Sequence, residues 1–373
     1  MMARLGDVAT YINGFAFKPT DWSDEGLPII RIQDLTGNSY KANRFNGTYL
    51  PKYEVNDGDV LISWSASLGV YVWKGEKAVL NQHIFKVVFD KCEIDRSFFV
   101  HQVQNILENA ADEAHGATMK HLTKPIFDAL PFYLPDLATQ RKIASVLDEI
   151  SNLITKRNEQ LKKLDELVKS RFVELFGDTI LNPFGWEKDS LGTICDVRDG
   201  THDSPKYHET GFPLVTSKNV TGGKIDLTDC SFICEEDFNK INERSKVDIG
   251  DIIMPMIGTV GKPVIVDIEP NFAIKNVALI KFEADSRVLN VYVRALLQSD
   301  YFDDAVLSKV RGGTQKFISL GDIRKLGVLV PPMELQKQFG AFIEQTDKSK
   351  LVIQESLAEL ETLKKALMQK YFG

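Results

Sequence analysis

Val330-Pro331-Pro332-Met333-Glu334-Leu335-Gln336 opens a proline-free run that ends at Tyr371-Phe372-Gly373, and an earlier stretch of the chain is built the same way. Leu134-Pro135-Asp136-Leu137-Ala138-Thr139-Gln140 opens a second proline-free run that ends at Leu175-Phe176-Gly177. The two lie 196 residues apart at both ends (140 to 336, 177 to 373). The loops ahead of them, Gly116 to Lys120 (GATMK) and Gly312 to Lys316 (GGTQK), keep the same separation. In the first run the apolar beat is Ile143, Leu147, Ile150, Ile154, Leu161, Leu164, Val168 and Leu175, with Arg157 and Arg171 in the stripe. In the second it is Phe339, Ile343, Ile353, Leu357, Leu360, Leu367 and Tyr371, interrupted by Thr346, Lys350 and Lys364. Alternating steps of four and three are the heptad signature of a coiled-coil stripe. The spacing predicts two helices of roughly 36 residues, about 54 Å each at 1.5 Å per residue. A solitary helix of that length with a one-sided stripe needs a partner in water, and the nearest is its own duplicate. The chain must leave the first domain on one helix and return on the other, which predicts an antiparallel pair. The alternative is that each helix packs on its own globular domain.

The segments ahead of the helices repeat more loosely. Leu5-Gly6-Asp7-Val8 and Gly14 match Leu191-Gly192-Thr193-Ile194 and Gly200 at a shift of 186 (5 to 191). Gly26 to Gly37 matches Gly211 to Gly222 at 185, Val55 to Ile62 matches Val247 to Met254 at 192, and Asn81 matches Asn276 at 195. Insertions have been accepted in these regions and refused in the helices. Short β-runs such as Ile29 to Ile32, Val60 to Trp64, Leu214 to Thr216 and Ile252 to Met256 are punctuated by Gly, Asp, Asn and Pro. One helix is expected after each set, Ser97 to Ala111 and Val291 to Leu307. The fold expected is α+β: two tandem mixed α/β domains, 1–139 and 178–335, with long helices at 140–177 and 336–373, related by an internal pseudo-twofold.

Composition sets wide bounds. At 373 residues there is room for two or three domains. No apolar run approaches the ~20 residues that span a bilayer, and the first residues lack the apolar core of a signal peptide, so a cytoplasmic, membrane-free protein is expected. A net charge of −7 and a pI near 5.5 argue against a wholly basic nucleic-acid binder, though not against a basic face on an acidic body. The cysteines (Cys92, Cys195, Cys230, Cys234) offer no second Cys/His pair to complete a zinc site around Cys230 and Cys234, and no metal is expected.

No catalytic constellation is legible. Gly258-Thr259-Val260-Gly261-Lys262-Pro263 fails the spacing of a phosphate-binding Walker loop. Asn182-Pro183-Phe184-Gly185 lacks the second proline of the motif with which base-amino methyltransferases hold a flipped base. The six histidines (His83, His101, His115, His121, His202, His208) are scattered and read as surface or packing residues. Asp57, Asp59, Asp248 and Asp251 sit where a turn uses Asp beside Gly.

Taken in order, and twice, these motifs resemble the specificity subunits of type I restriction-modification enzymes. The resemblance covers essentially the whole chain and includes Trp186-Glu187-Lys188-Asp189-Ser190-Leu191-Gly192, Gly250-Asp251-Ile252-Ile253, Gly313-Thr314-Gln315-Lys316-Phe317-Ile318 and Val330 to Gln336. The first half departs from the pattern, with Met119 where the second has Gln315, Asp136 for Pro332 and Thr139 for Leu335. The resemblance implies a non-catalytic reader of double-stranded DNA, each globular domain a target recognition domain for one half of a split sequence. The helices would act as a ruler and as a dock for two methylation subunits, with restriction subunits completing the complex. No cofactor is expected in this chain; S-adenosylmethionine, and ATP with Mg for restriction, would belong to the partners. The alternatives are a specificity module of a related fused methylase-nuclease system, or a coiled-coil scaffold that binds no DNA.

Lys309, Arg311, Gly312, Gly313 and Lys316 form a basic glycine-rich loop suited to phosphate, with Gly116, Lys120 and Lys124 as its first-half equivalent. Arg31, Gln33, Lys218 and Asn219 lie at matched strand ends and are side chains that pair with base edges. Ile143, Leu147, Ile150, Ile154, Leu161, Leu164, Ile343, Ile353, Leu357 and Leu360 mark the helix seam and partner dock. On this reading Lys316→Ala lowers affinity alike for all DNA sequences and flattens its salt dependence. Binding titrations at several salt concentrations check it; altered base preference at an unaltered slope refutes the phosphate role.

Overall fold

The structure, a computed structural model, describes residues 1–37, 43–65, 67–113, 123–257, 260–306 and 317–373. It forms two compact units, Met1–Asn158 together with Glu355–Gly373, and Glu159–Gln354.

The duplication holds strand by strand. In the first unit Thr10–Asn13, Ile84–Val88, Val60–Ser63 and Gly69–Val72 lie in that order in an antiparallel sheet. Asp196–Asp199, Val277–Lys281, Ile252–Pro255 and Val264–Ile265 repeat it in the second. Each unit has a second sheet centred on a parallel pair, Leu27–Ile30 with Ala78–Leu80 and Phe212–Val215 with Ala273–Ile274. Each also has a two-stranded ribbon that joins the start of the domain to the segment ahead of its long helix, Met2–Arg4 with Pro131–Tyr133 and Glu187–Ser190 with Gly327–Val330. The expected strands are therefore found, displaced by a residue or two: Leu27–Ile30 stops short of Ile32, which begins a one-turn helix, Ile32–Leu35. The loss of register from a shift of 185 to 192 falls on the helix Glu235–Ser245, where the described residues of the first unit have only the short 3-10 turn Pro51–Tyr53.

One expected element is corrected. Val291 to Leu307 is two helices, Asn290–Leu297 and Asp300–Ala305. The break is at Ser299, whose hydroxyl donates to the Leu296 carbonyl at 2.6 Å; serine offers the backbone a side-chain bond in place of the helical ladder, and the next helix starts there. Leu307 lies outside the described residues.

The two proline-free runs are helices of 40 residues, Leu137–Phe176 and Met333–Phe372, each starting three residues ahead of the expected position and about 60 Å long at the standard rise. Asp136, the departure from Pro332, is an N-cap: its carboxylate accepts from the Thr139 amide at 3.0 Å and the Thr139 hydroxyl at 2.7 Å. At the other end Gly177 takes φ +79°, and the Trp186 indole donates to the Phe176 carbonyl at 3.1 Å, which accounts for the Trp-led entry of the second half.

Burial follows the heptad beat. Ile150 is buried, and Ile154, Arg157, Leu161, Leu164, Val168, Arg171 and Leu175 are half-buried or better among exposed neighbours. The second helix repeats this at Phe339, Ile343, Thr346, Lys350, Ile353, Leu357, Leu360, Lys364, Leu367 and Tyr371, so the polar interruptions lie on the stripe. Within the second unit the helices run antiparallel: Phe176 meets Phe339 edge-on at 5.4 Å, and eleven residues further along each, the Lys350 ammonium is 2.7 Å from the Asp165 carboxylate. Within the first unit Ile143 and Leu147 share a core with Met368, and Phe372 meets Phe98 at 5.5 Å. Packing on the globular domain and packing on the duplicate helix thus coexist. No helix among the described residues is long and apolar enough to cross a membrane.

The joint between domain and helix is a buried glutamine in both copies. Gln140 accepts from the Asp95 amide at 2.9 Å and donates to the Pro135 carbonyl at 2.8 Å. Gln336, fully buried, accepts from the Leu289 amide at 2.8 Å and donates to the Pro331 and Arg287 carbonyls at 2.9 and 3.0 Å. Gln336→Ala leaves these groups unpaired and is expected to lower stability by roughly 2–3 kcal/mol. Gln345→Ala, at an exposed position of the same helix, is expected to change it by less than about 0.5 kcal/mol. Urea unfolding distinguishes them, and equal effects would remove the glutamine from this role.

Candidate nucleic-acid interface

In each unit the chain passes from the first sheet to the second at a glycine. The Gly14 amide donates to the Ile84 carbonyl at 3.2 Å, Phe15 to Leu80 at 2.8 Å and Asn81 to Ile30 at 3.2 Å. The second unit repeats the knot, Gly200 to Val277 at 3.0 Å, Thr201 to Ile274 at 3.0 Å and Lys275 to Val215 at 2.9 Å. A methyl group at Gly14 would collide with the Asn81 carbonyl, and one at Gly200 with the Ile274 carbonyl, which is why both positions are glycine. One sheet end in each unit therefore gathers three features: the exposed segment after the glycine, the turn after a strand of the parallel pair, and the partly buried turn at Asn81 or Asn276.

The turn after that strand of the parallel pair carries the expected base-reading residues, and the structure sorts them. At a shift of 185, Arg31 corresponds to Thr216, Gln33 to Lys218 and Asp34 to Asn219. The Arg31 amide donates to the Asp34 carboxylate at 2.8 Å, and the Thr216 amide to the Asn219 side-chain oxygen at 3.0 Å. Asn219 is buried, and its amide nitrogen also donates to the carbonyls of Asp226 at 3.2 Å and Asp229 at 3.1 Å. It is spent on bracing the turn and is withdrawn as a reader. Arg31 is half-buried, its guanidinium 3.5 Å from Asp34 and 6.0 Å from the centre of the Trp22 ring. Gln33 and Lys218 are both exposed, at the same place on the same scaffold, with different chemistry.

Lys124 begins the helix Lys124–Ala129, where its ammonium sits 2.5 Å from the Asp128 carboxylate and 5.9 Å from the centre of the Tyr11 ring. That partner neutralises much of the charge offered to phosphate. Lys120, Lys309, Arg311, Gly312, Gly313 and Lys316 lie outside the described residues. The residue that follows them, Phe317, bridges Ile257, and the Ile318 amide donates to the Met256 carbonyl at 2.9 Å. Since Pro255 pairs with Val277, this return point stands at the sheet end that carries Gly200 and Asn276.

The seam residues face inward. Ile143, Leu147, Ile150 and Ile343 are buried, and Ile154, Leu161, Leu164, Ile353, Leu357 and Leu360 are half-buried along the stripe. The exposed apolar side chains of the long helices are others, Leu153, Leu167, Val173, Leu351, Val352 and Leu363, and of these Leu167 and Leu363 lie 196 residues apart, 49% and 48% exposed.

Sequence reasoning missed a polar cluster beside Gly200. His202 places Nδ1 2.9 Å from Asn276 Oδ1 and Nε2 2.8 Å from Asp199 Oδ2, and the Arg244 guanidinium bonds the other oxygen of Asp199. The hydrogen bonds to Asn276 and Asp199 raise the imidazole pKa above its ordinary value. Only the Asn81/Asn276 match hinted at this spot; Asn276 takes φ +56°, a conformation asparagine tolerates. The Gly-Asp turns, by contrast, are structural as expected: Lys281 is 2.7 Å from both Asp248 and Asp251, and burial pushes the Asp251 carboxyl up. Among the described residues no group of three or more His, Cys, Asp or Glu side chains is placed to hold a metal ion.

Comparison with known proteins agrees with this duplicated layout. The profile described as "Type I restriction modification DNA specificity domain" matches residues 1–163 and 183–362. The chain is 24% identical over 404 residues to the type I restriction enzyme EcoBI specificity subunit of Escherichia coli, covering 99% of this chain and 84% of that protein. It is 24% identical over 390 residues to the MjaVIII specificity subunit of Methanocaldococcus jannaschii, covering 98% and 90%. Among solved structures, the S subunit of a type I restriction-modification system from M. genitalium superposes with a TM-score of 0.57 at 16% identity, over 100% of this chain and 96% of that one. A chain from a study of complex assembly and conformational transition of the type I R-M system gives 0.56 at 19% identity, over 100% and 97%. With two profile matches that fall on its two halves, the chain belongs to the type I restriction-modification DNA specificity family.

Proposed function

We propose that this chain is the DNA sequence-specificity subunit of a type I restriction-modification complex and that each globular unit reads one part of a bipartite target. One observation carries the reading: two copies of one scaffold present different exposed side chains at the same sheet end, Gln33 in one and Lys218 in the other. A glutamine suits adenine and a lysine suits guanine, so a shared frame can hold two different words. The chain supplies recognition and no chemistry of its own. Methylation with S-adenosylmethionine, and restriction with ATP and Mg, belong to partner subunits in the cytoplasm, and the basic loop at 309–316 with its counterpart at 116–124 supplies phosphate contacts.

The long helices set the distance between the two words. A heptad stripe tolerates change only in units that keep the seam in phase, which accounts for a constant separation of 196 residues through the helices beside drift elsewhere. Two methylation subunits dock on the outward faces, where Leu167 and Leu363 offer the same exposed apolar side chain once in each copy. On this reading the inward seam holds the helices together while the outward faces take the partners.

The test is selection from a random duplex pool by the chain assembled with its methylation subunit. Wild type is expected to select two half-sites with a fixed spacer. Gln33→Ala is expected to relax one half-site, Lys218→Ala the other, and removal of one heptad from each helix to shorten the spacer by about 10 Å, roughly three base pairs. No selected sequence sinks the reading, and an unchanged spacer sinks the ruler. Leu167→Glu and Leu363→Glu are each expected to halve the number of methylation subunits bound, read by the mass of the complex; full occupancy in both places the dock elsewhere.

A further inference from the structure

Residues 201–208 leave the sheet after Gly200 and return at His208, and they are tied down at three points. His202 bridges Asn276 and Asp199. The Lys275 ammonium donates to the Ser204 hydroxyl at 2.7 Å. The His208 amide donates to the Phe232 carbonyl at 2.9 Å. Between the second and third ties Lys206 and Tyr207 are exposed. The segment starts beside Lys275, whose amide bonds Val215, so it shares an edge with the turn that carries Lys218. The groups around the first tie are Asp199 from its strand, Arg244 from the helix Glu235–Ser245, and Lys275 and Asn276 from the turn.

The corresponding segment of the first unit, after Gly14, is built of other material. Phe15 and Trp22 are exposed there, Phe15 packs edge-on against Phe17 at 4.9 Å, and Phe17 against Phe45 at 5.0 Å. Both segments are pinned by backbone bridges at their two ends, Phe15 to Asn81 and Ser23 to Arg44 in one, Thr201 to Lys275 and His208 to Phe232 in the other, and they expose different side chains between, which is what two readers of unlike sequences require.

We propose that residues 201–208 form a pinned strap that presents Lys206 and Tyr207 to DNA, and that His202 is the positioning residue that sets its pose. The inference rests on the DNA-specificity reading and adds to it a contact segment and a control. A lysine and a tyrosine side by side fit a phosphate and the edge or face of an adjoining base. Both ring nitrogens of His202 face oxygen acceptors, and only the imidazolium donates to both. With its folded pKa raised, His202 holds the strap below the ordinary histidine value and releases it as pH rises through the raised one. Arg244, competing for Asp199, works against that charge.

The experiment uses the full chain with its methylation subunit and the duplex that wild type selects. Lys206→Ala is expected to weaken binding roughly fivefold and to reduce the slope of log affinity against log salt by about 0.9. Tyr207→Ala is expected to relax one half-site, the one that Lys218 governs. Wild-type affinity should fall between pH 6 and 8.5 more steeply than that of His202→Gln. In the free chain, the protection of the 201–208 amides relative to their intrinsic exchange rates should fall over the same range in wild type and be low throughout in His202→Gln. If wild type selects a sequence and Lys206→Ala and Tyr207→Ala bind it unchanged, the strap is wrong and the specificity reading stands. If wild type selects nothing, both fall. If protection relative to the intrinsic rate stays constant with pH in wild type, His202 is removed from its role.

Discussion

A buried glutamine at the first turn of each long helix is the contact on which the architecture depends. Gln336 satisfies one amide and two carbonyls with a single side chain, and these belong to the strand that enters the helix and to the segment that opens Asn290–Leu297. Gln140 makes the same joint in the first copy. An amide side chain fits because it offers a donor and an acceptor on one rigid plane; a carboxylate would bring a buried charge, and an apolar residue would orphan the backbone groups. The direction in which each helix leaves its domain is thereby set by hydrogen bonds, which are directional, and not by apolar contact alone, which is not.

Beyond the joint, the helices are held by a seam that is only partly apolar. Arg157, Arg171, Lys350 and Lys364 occupy stripe positions that hydrophobic residues would make more stable. Lys350 reaches Asp165, and the Arg171 guanidinium lies 6.0 Å from the Phe342 ring while pairing with Glu174 at 2.8 Å. Polar residues on a heptad stripe trade stability for a defined register, because any slip strands a charge against carbon. A helix pair that kept a distance, as proposed for this one, would need register more than strength.

The same economy runs through the globular units. Residues that repeat between copies are those with an internal duty: glycines where two backbones touch, the aspartate of the Gly-Asp turn, the acid or amide that caps the turn at 31 or 216. Residues that differ at equivalent positions include the exposed Gln33 and Lys218, and under the proposed function these carry the distinction between the halves.

Much of this was legible in order along the chain. The duplication, the antiparallel helices and their polar stripe residues follow from periodicity and a constant separation, since helical register is a local property that spacing alone expresses. What the tertiary structure decided was the side-chain accounting. Lys218 and Asn219 are neighbours of similar polarity, and nothing local tells them apart. Asn219 is withdrawn because the carbonyls of Asp226 and Asp229 come round to meet it, while Lys218 points to solvent. The seam residues are buried or half-buried along the heptad stripe, and the single helix expected over 291–307 broke at Ser299. For Asn219 the deciding partners lie on another turn, and a hydrogen bond made across space leaves no trace in the spacing of residues along the chain, whereas the break at Ser299 is a local bond to the Leu296 carbonyl.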